Sequence, residues 1–213
     1  MLIQPVLRPV LQPVLRSIFD PGIGGGAPIW TPASLFAASE QGAWYDPSDL
    51  STMFQDLAGT VPAVVDSPVG KRLDKSGNGN HWTAKNTSAR PILRLTGGLY
   101  SLQWDGVDDE GSTSSINFTA TDKIGVFYGA MFDGAAQFCG VIAVGPAGSP
   151  GSFWHYTNFS NGYFSVRGAS GTPLISTAGF MVAATPTVAT AACDLAGVSA
   201  ATCLSARRNG VLF

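Results

Sequence analysis

The stretch IGVFYGAMF, residues Ile124–Phe132, is apolar or aromatic at nearly every position, and FCGVIAV, residues Phe138–Val144, has the same character. Both runs are short and rich in β-branched or aromatic side chains, which favours a strand over a helix. A run that is apolar at consecutive positions suits a strand that is buried on both faces. These two runs therefore predict strands inside a β-sandwich.

Short runs of similar character continue outward from this stretch and are separated by turn residues. They predict further strands at Ala43–Tyr45, Trp82–Ala84, Ile92–Leu95, Ser101–Trp104, Ser115–Phe118, Ser152–Tyr156, Gly162–Val166, Met181–Thr185 and Cys203–Arg207. Many short strands without alternating helices indicate a sandwich or a barrel. A single short helix is predicted over Ser34–Gly42, after a capping signal at Thr31-Pro32.

The composition agrees with an all-β fold. Only 12% of the 213 residues are charged and 26 are glycine, whereas soluble domains have about 25% charged residues. This mixture does not supply the regularly spaced Glu, Lys and Leu of long amphipathic helices. The length suffices for one all-β domain with an appendage.

Charge and hydropathy exclude several classes of partner. The net charge is −2 and no basic patch is visible, so no nucleic-acid partner is predicted. The pairs Lys71-Arg72 and Arg207-Arg208 are predicted to be solvated turn residues. No run reaches the roughly 18 apolar residues of a membrane span, so none is predicted. Prolines interrupt the apolar N-terminal residues, which argues against a secretory signal and predicts synthesis in a cytoplasm.

The cysteines do not predict a disulfide framework. Cys139, Cys193 and Cys203 are odd in number and irregularly spaced, so buried thiols are predicted. A bond between Cys193 and Cys203 is the alternative in an oxidising compartment. His81 and His155 are the only histidines, which argues against a tetrahedral zinc site.

Residues 1–20 contain an internal repeat, PVLR-PVLQ-PVLR, over Pro5–Arg16. Proline at every fourth position favours an extended arm, and an extended arm cannot bury its own side chains. We therefore expect the arm to dock on another protein through Val6, Leu7, Arg8, Val10, Leu11, Val14, Leu15 and Arg16. A disordered tail is the alternative. Residues 21–29 read as a flexible Gly/Pro linker, and residues 30–213 as the β-sandwich.

Three motifs lie in the first half of this β-sandwich: WYDPSDLSTMFQD (Trp44–Asp56), DKSGNGNHW (Asp74–Trp82) followed by ARPIL, and LQWDGVDD (Leu102–Asp109). In order and spacing they resemble the concanavalin A-like, laminin-G-type jelly rolls of many bacteriophage structural proteins. The resemblance covers residues 43–133 well and the remainder in texture only. It implies a lectin-like jelly-roll β-sandwich.

The motifs also have a local structural interpretation. SGNGN supplies Gly77, Asn78, Gly79 and Asn80, which tolerate the positive φ of a tight loop. Asp74 and Asn78 can cap backbone amides in that loop, and Asp105-Gly106 is a hairpin turn signal. Loop architecture is therefore the first prediction for both motifs.

The same loops contain candidate binding residues. Calcium prefers six to eight oxygen ligands, and candidate ligands are Asp74, Asn78, Asp105, Asp108 and Asp109. No other cofactor is predicted. Candidate glycan-stacking residues are Trp82, Trp104, Trp154 and Tyr156, although such aromatic residues more often belong to a core.

The inventory of catalytic groups is poor. Glycosidases need two carboxylates at a fixed separation, and Glu40 and Glu110 are the only glutamates. There is no Gly-x-Ser-x-Gly elbow and no phosphate-binding loop. We therefore predict that the protein is not an enzyme.

The C-terminal sequence predicts a turn at Arg208–Gly210. In the jelly rolls that the chain resembles, further strands follow such a turn. Either residues 30–213 lack C-terminal strands, or a partner covers the exposed edge.

These observations predict a virion structural protein, such as a fibre, collar or head decoration protein. It would assemble in the host cytoplasm, dock on other virion proteins through its arm and contact host-surface glycans. The resemblance also implies a homo-oligomer, commonly a trimer in fibres. The alternatives are a free carbohydrate-binding module and a glycan-degrading enzyme that uses Asp109 and Glu110.

Overall fold

The protein is all-β, as the sequence predicts. A computed structural model describes residues 31–118, 123–131, 139–145, 152–158, 161–167, 173–175, 184–194 and 204–212. Every strand pair among these residues is antiparallel. Their only helical segments are 3₁₀ turns at Pro32–Phe36 and Leu50–Thr52. No helix in this part of the chain is long and apolar enough to cross a membrane.

Two small sheets are built from residues 53–112. The first has the order β1-β2-β3-β6 and consists of β1 (Met53–Phe54), β2 (Lys71–Arg72), β3 (Trp82–Ala84) and β6 (Gly111–Ser112). The second is a hairpin of β4 (Ile92–Thr96) and β5 (Leu99–Gln103). Its two-residue loop is Gly97-Gly98, and both residues have positive φ, which suits a tight hairpin turn.

Two larger sheets are built from residues 123–212. One has the order β14-β13-β12-β7, with β7 (Lys123–Ala130), β12 (Thr187–Asp194), β13 (Leu204–Arg208) and β14 (Val211–Leu212). The other has the order β11-β10-β9-β8, with β8 (Cys139–Val144), β9 (Phe153–Asn158), β10 (Asn161–Arg167) and β11 (Pro173–Ile175).

Most of the predicted strands are confirmed, although β7 is buried on alternate residues and not on both faces as predicted. Trp82–Ala84 has the predicted bounds, and seven others differ by a few residues at most. Two predictions are wrong, because Ala43–Tyr45 and Ser115–Phe118 form no strand. In the first of these, the Trp44 amide donates to a side chain instead of a strand partner.

Three other local predictions need correction. Of the predicted strand Met181–Thr185, the described residues 184 and 185 are not in a strand, and β12 begins at Thr187. The predicted helix over Ser34–Gly42 is a 3₁₀ turn that ends at Phe36, with Thr31 as its N-cap. The basic pairs predicted as solvated turns lie in strands β2 and β13 instead. The turn predicted after Arg208 is confirmed, because Asn209 and Gly210 both have positive φ.

A core joins the two larger sheets face to face, in a sandwich-like arrangement. Its buried members are Ile124, Val126, Phe153, Ala189, Ala191, Cys193 and Ala206. Alternate residues of β12 are buried, as the period of a strand requires. Phe153, from the facing sheet, is the largest of these side chains and shares the cluster with three alanines. Cys193 is buried, as predicted.

A polar pair also lies between these sheets. The Tyr128 hydroxyl on β7 contacts Nδ1 of His155 on β9, and His155 is fully buried. Burial lowers the pKa of His155 from 6.5 to about 4 and raises the pKa of Tyr128. Both groups are therefore neutral at pH 7.

The first sheet has a tight contact between β3 and β6. A Cβ atom placed on Gly111 would lie 2.3 Å from the Trp82 ring and 2.5 Å from the carbonyl oxygen of Thr83. Only glycine leaves room for the indole at this position. Trp82 is consequently only 6% exposed.

Replacement of Gly111 by alanine should lower the free energy of unfolding by about 2 kcal/mol, because the added methyl group overpacks the Trp82 ring. Gly129→Ala is the matched control, since a Cβ there meets no atom within 4 Å. We expect the control to change stability by less than about 0.5 kcal/mol. Urea denaturation measures both values, and equal effects would contradict the packing argument.

Acidification should destabilise the sandwich through His155. Its folded-state pKa is lower than that of the unfolded chain, so the unfolded state binds more protons as the pH falls from about 6.5 to about 4. Stability is thus lost over this range, by about 3 kcal/mol in total. The double variant Tyr128→Phe/His155→Phe should lack this component.

Denaturant unfolding at pH 7 and at pH 4.5 measures the effect as the difference between the wild type and the double variant. The control is His81→Gln, which removes the only other histidine and leaves Tyr128 and His155 in place, so the loss that arises from His155 should remain. The interpretation fails if the double variant loses as much stability as the wild type.

Candidate functional site

The carboxylate of Asp74 organises the first candidate loop. Its Oδ1 accepts hydrogen bonds from the amides of Trp44 and Ser76, both at 2.8 Å. Its Oδ2 accepts from the Ser76 hydroxyl at 2.7 Å and from the Asn80 amide at 2.9 Å. The predicted capping role of Asp74 is therefore confirmed, and one of its partners lies thirty residues earlier in the chain.

The glycines and the asparagines of this loop have different roles. Gly77 and Gly79 have positive φ, as predicted. The prediction of positive φ at Asn78 and Asn80 is wrong, because neither residue has a positive φ. Their side-chain amides instead donate to the carbonyl oxygen of Gly42, at 3.1 Å and 2.7 Å. The loop thus binds the preceding segment through both backbone and side-chain groups.

This geometry leaves Asp74 poorly suited to bind calcium. Burial alone would raise its pKa, but the hydrogen bonds from Trp44, Ser76 and Asn80 outweigh burial and lower the pKa. The carboxylate is therefore charged at neutral pH, yet both oxygens already accept two hydrogen bonds each. Asn78 likewise holds backbone carbonyls with its amide nitrogen. A structural role explains both residues.

The other calcium candidates do come together. Asp105, Asp108 and Asp109 each offer a carboxylate oxygen within 4.8 Å of the others, and no other such group of His, Cys, Asp or Glu occurs in the described ranges. Asp105 Oδ1 accepts the Val107 amide at 2.8 Å, which lowers the pKa of Asp105. Burial, together with the charges of its two neighbours, raises the pKa of Asp109. Calcium binding by this trio stays a prediction.

Asp105-Gly106 is not a hairpin turn, although the sequence predicted one. It lies between β5 and β6, which pair with different strands, β4 and β3. The Asp105 side chain closes the loop by accepting backbone amides, and Gly106 has positive φ. A short polar side chain therefore replaces the ladder hydrogen bonds of a hairpin.

The glycan candidates separate by exposure. Trp82 is buried and contacts Trp104 edge to face at 5.8 Å between ring centroids. The predicted role of Trp82 as a sugar platform is therefore not supported, whereas Trp104 is 44% exposed and remains a candidate. Trp154 and Tyr156 have their backbone in β9, and their side chains lie outside the described part of the structure.

The predicted docking arm and the carboxylates of the enzyme alternative complete the candidate residues. Residues 1–30, and with them the arm, lie outside the described residues. Glu110 forms an ion pair with Lys85, and Asp109 accepts a hydrogen bond from the Asp105 amide at 2.7 Å. Catalysis by these two carboxylates stays a prediction.

Sequence reasoning missed a stack of cations on aromatic rings. The guanidinium of Arg72 lies over the rings of Tyr45 and Trp82, 4.7 Å and 4.5 Å from their centroids. Lys75 lies over the Trp44 ring at 4.7 Å. The only sequence signal is the doublet Trp44-Tyr45 ahead of two basic residues, and no fixed spacing links them.

Comparison with known protein families, with curated proteins and with solved structures found no match to this chain.

Asp74→Ala should lower the free energy of unfolding by about 3 kcal/mol, because several partly buried amides lose their acceptor. Glu110→Gln is the control, since its ion pair with Lys85 is exposed and screened by solvent. Chemical denaturation compares the two variants. A loss for Asp74→Ala no larger than that of the control would show that the loop does not depend on this carboxylate.

Proposed function

We propose that the chain is a structural component of a bacteriophage virion, such as a fibre, collar or head decoration protein. Its β-sandwich would be of the lectin-like jelly-roll type and would stand behind the extended arm of residues 1–20. The antiparallel all-β fold supports this proposal, as does the resemblance of the loops at Asp74–Trp82 and Leu102–Asp109 to those of phage jelly rolls.

The observation that carries the proposal is the repeat PVLR-PVLQ-PVLR. Its prolines recur at an interval of four residues, so in an extended chain they all fall on the same edge. The opposite edge keeps its amide donors, because the residues between the prolines still have them. Such an arm could add to the edge of a neighbouring sheet, with the leucines Leu7, Leu11 and Leu15 on one face and the valines on the other.

The outer face of the β14-β13-β12-β7 sheet supports assembly as well. Phe127, Val188 and Leu212 are 63%, 57% and 62% exposed. In the strand register, Thr190 pairs with Phe127 on one side and with Arg207 on the other. Arg207 pairs in turn with Leu212. The four side chains therefore form one row across the four strands. Exposed apolar side chains that share a face are typical of contact surfaces. This face fits a neighbouring subunit, as a homo-oligomer would provide.

The polar groups of the two loops also favour a structural role. In both loops the carboxylates mainly accept hydrogen bonds from their own backbone. A catalytic carboxylate must instead face a substrate and exchange a proton with it. The loops therefore serve the fold, which agrees with a protein that builds or attaches rather than one that catalyses.

Glycan binding is the second candidate function, and the exposed Trp104 favours it. Asp105 follows it directly, and aromatic faces beside hydrogen-bonding side chains are typical of sugar sites. In the virion this surface would contact host glycans. In the alternative, the protein is a free carbohydrate-binding module.

Deletion of residues 1–20 should abolish incorporation of the protein into virions, because the docking surface of the arm is lost. The β-sheet domain should still fold, as judged by circular dichroism and thermal melting. Immunoblotting of purified particles, normalised to the major capsid protein, measures incorporation. Because the deletion also shortens the chain, the triple variant Leu7→Ser/Leu11→Ser/Leu15→Ser tests the apolar contact at full length.

The control is Gln4→Asn/Gln12→Asn, which keeps every apolar residue and both arginines of the arm and should be incorporated normally. Normal incorporation of the deletion variant would refute the docking role. Glycan-array binding that Trp104→Ala abolishes, without any association with particles, would identify the protein as a free carbohydrate-binding module.

A further inference from the structure

Arg72 places a positive charge among aromatic rings. Arg72 is only partly exposed, and its Nε atom is buried without a hydrogen-bond partner. No carboxylate forms an ion pair with it among the described residues. The guanidinium lies over the ring of Tyr45 and over the ring of Trp82.

The neighbouring cation shows what Arg72 lacks. Lys75 also lies over an aromatic ring, that of Trp44, but its ammonium group pairs with Asp46 at 3.0 Å and with Asp49 at 2.8 Å. The two cations thus have similar aromatic contacts and different charge balance. Lys75 is neutralised by two carboxylates, whereas no carboxylate in the described part of the chain neutralises Arg72.

The charge of Arg72 persists at neutral pH. Burial lowers its pKa from 12.5 to about 10, and burial raises the pKa of the Tyr45 phenol, which interacts with it. That phenol is therefore neutral and donates its hydrogen bond to the carbonyl oxygen of Asn80. Attraction to two rings offsets part of the desolvation cost of a cation, but it supplies no counter-charge and no acceptor for Nε.

We propose that Arg72 anchors a binding site for an oxyanion, a carboxylate or sulfate group that supplies the missing counter-charge. A guanidinium presents a planar set of donors that matches such groups. The rings of Tyr45 and Trp82 fix the plane of this set before any ligand arrives. This inference does not depend on the proposed virion role.

An acidic sugar is one source of this chemistry, and a free inorganic anion is the other. The exposed Trp104 is in edge contact with Trp82, the ring that covers Arg72. An apolar sugar face therefore has a platform at the exposed end of the same stack. Sodium glucuronate and sodium sulfate are the probes that distinguish the two sources, with glucose as the neutral counterpart of glucuronate.

The test is a titration of the full-length protein, followed by tryptophan fluorescence at constant ionic strength maintained with sodium chloride. The wild type should bind sulfate or glucuronate, and Arg72→Met should bind at least tenfold more weakly. Arg94→Met is the matched control, because it removes an exposed arginine that is paired with Asp66. We expect this control to bind like the wild type. Glucose should not bind at the concentrations used.

Arg72→Met could lose binding because the variant does not fold. Arg72→Lys is therefore a second variant, which keeps the positive charge and loses the planar donors of the guanidinium. It should bind the anion more weakly than the wild type. Tighter binding of glucuronate than of sulfate would identify an acidic sugar as the ligand, and equal binding would identify the free anion. The proposal is overturned if the wild type binds neither anion, or if all variants bind equally, which would indicate an adventitious ion only.

Discussion

The hydrogen bonds of the Asp74 carboxylate are the constraint on which the first half of the structure depends. They join the loop that begins at Asp74 to the Trp44 amide, and so fix the position of the next residue, Tyr45. Tyr45 in turn covers Arg72, and Arg72 covers Trp82. These contacts connect the Asp74 carboxylate to the aromatic rings around Arg72. The segment that contains Trp44 and Tyr45 has no strand of its own, and side-chain contacts hold it in place.

The sequence predicted the strands whose side chains carry strong apolar signals, and it missed those built from small residues. Trp82–Ala84 and Ile92–Leu95 were found because aromatic or β-branched residues mark them. Strand β12, TVATAACD, alternates buried and exposed positions perfectly, yet alanine and threonine have little hydrophobic contrast. Two-residue strands such as β1 and β2 are shorter than any periodic pattern that a sequence can show.

The candidate site was predictable in its loops and not in its long-range contacts. Asp74 as a capping residue followed from the local spacing of polar residues. The Arg72 stack joins residues 45, 72 and 82, and no local rule links positions so far apart. The same limit explains why Trp82 was predicted as a glycan candidate, since its burial depends on Gly111, twenty-nine residues later. Tertiary packing decides whether a tryptophan such as Trp82 is buried or exposed, and the periodicity of the sequence does not show this packing.

The three alanines that share a buried cluster with Phe153 have a consequence for how the sandwich can evolve. Ala189, Ala191 and Ala206 come from one sheet, and Phe153, the largest buried side chain of their cluster, comes from the other. The spacing of the two sheets is thus shared between partners that lie far apart in the chain. A larger residue on one side is tolerated only with a smaller one on the other, so these positions are expected to change together across descendants of this chain.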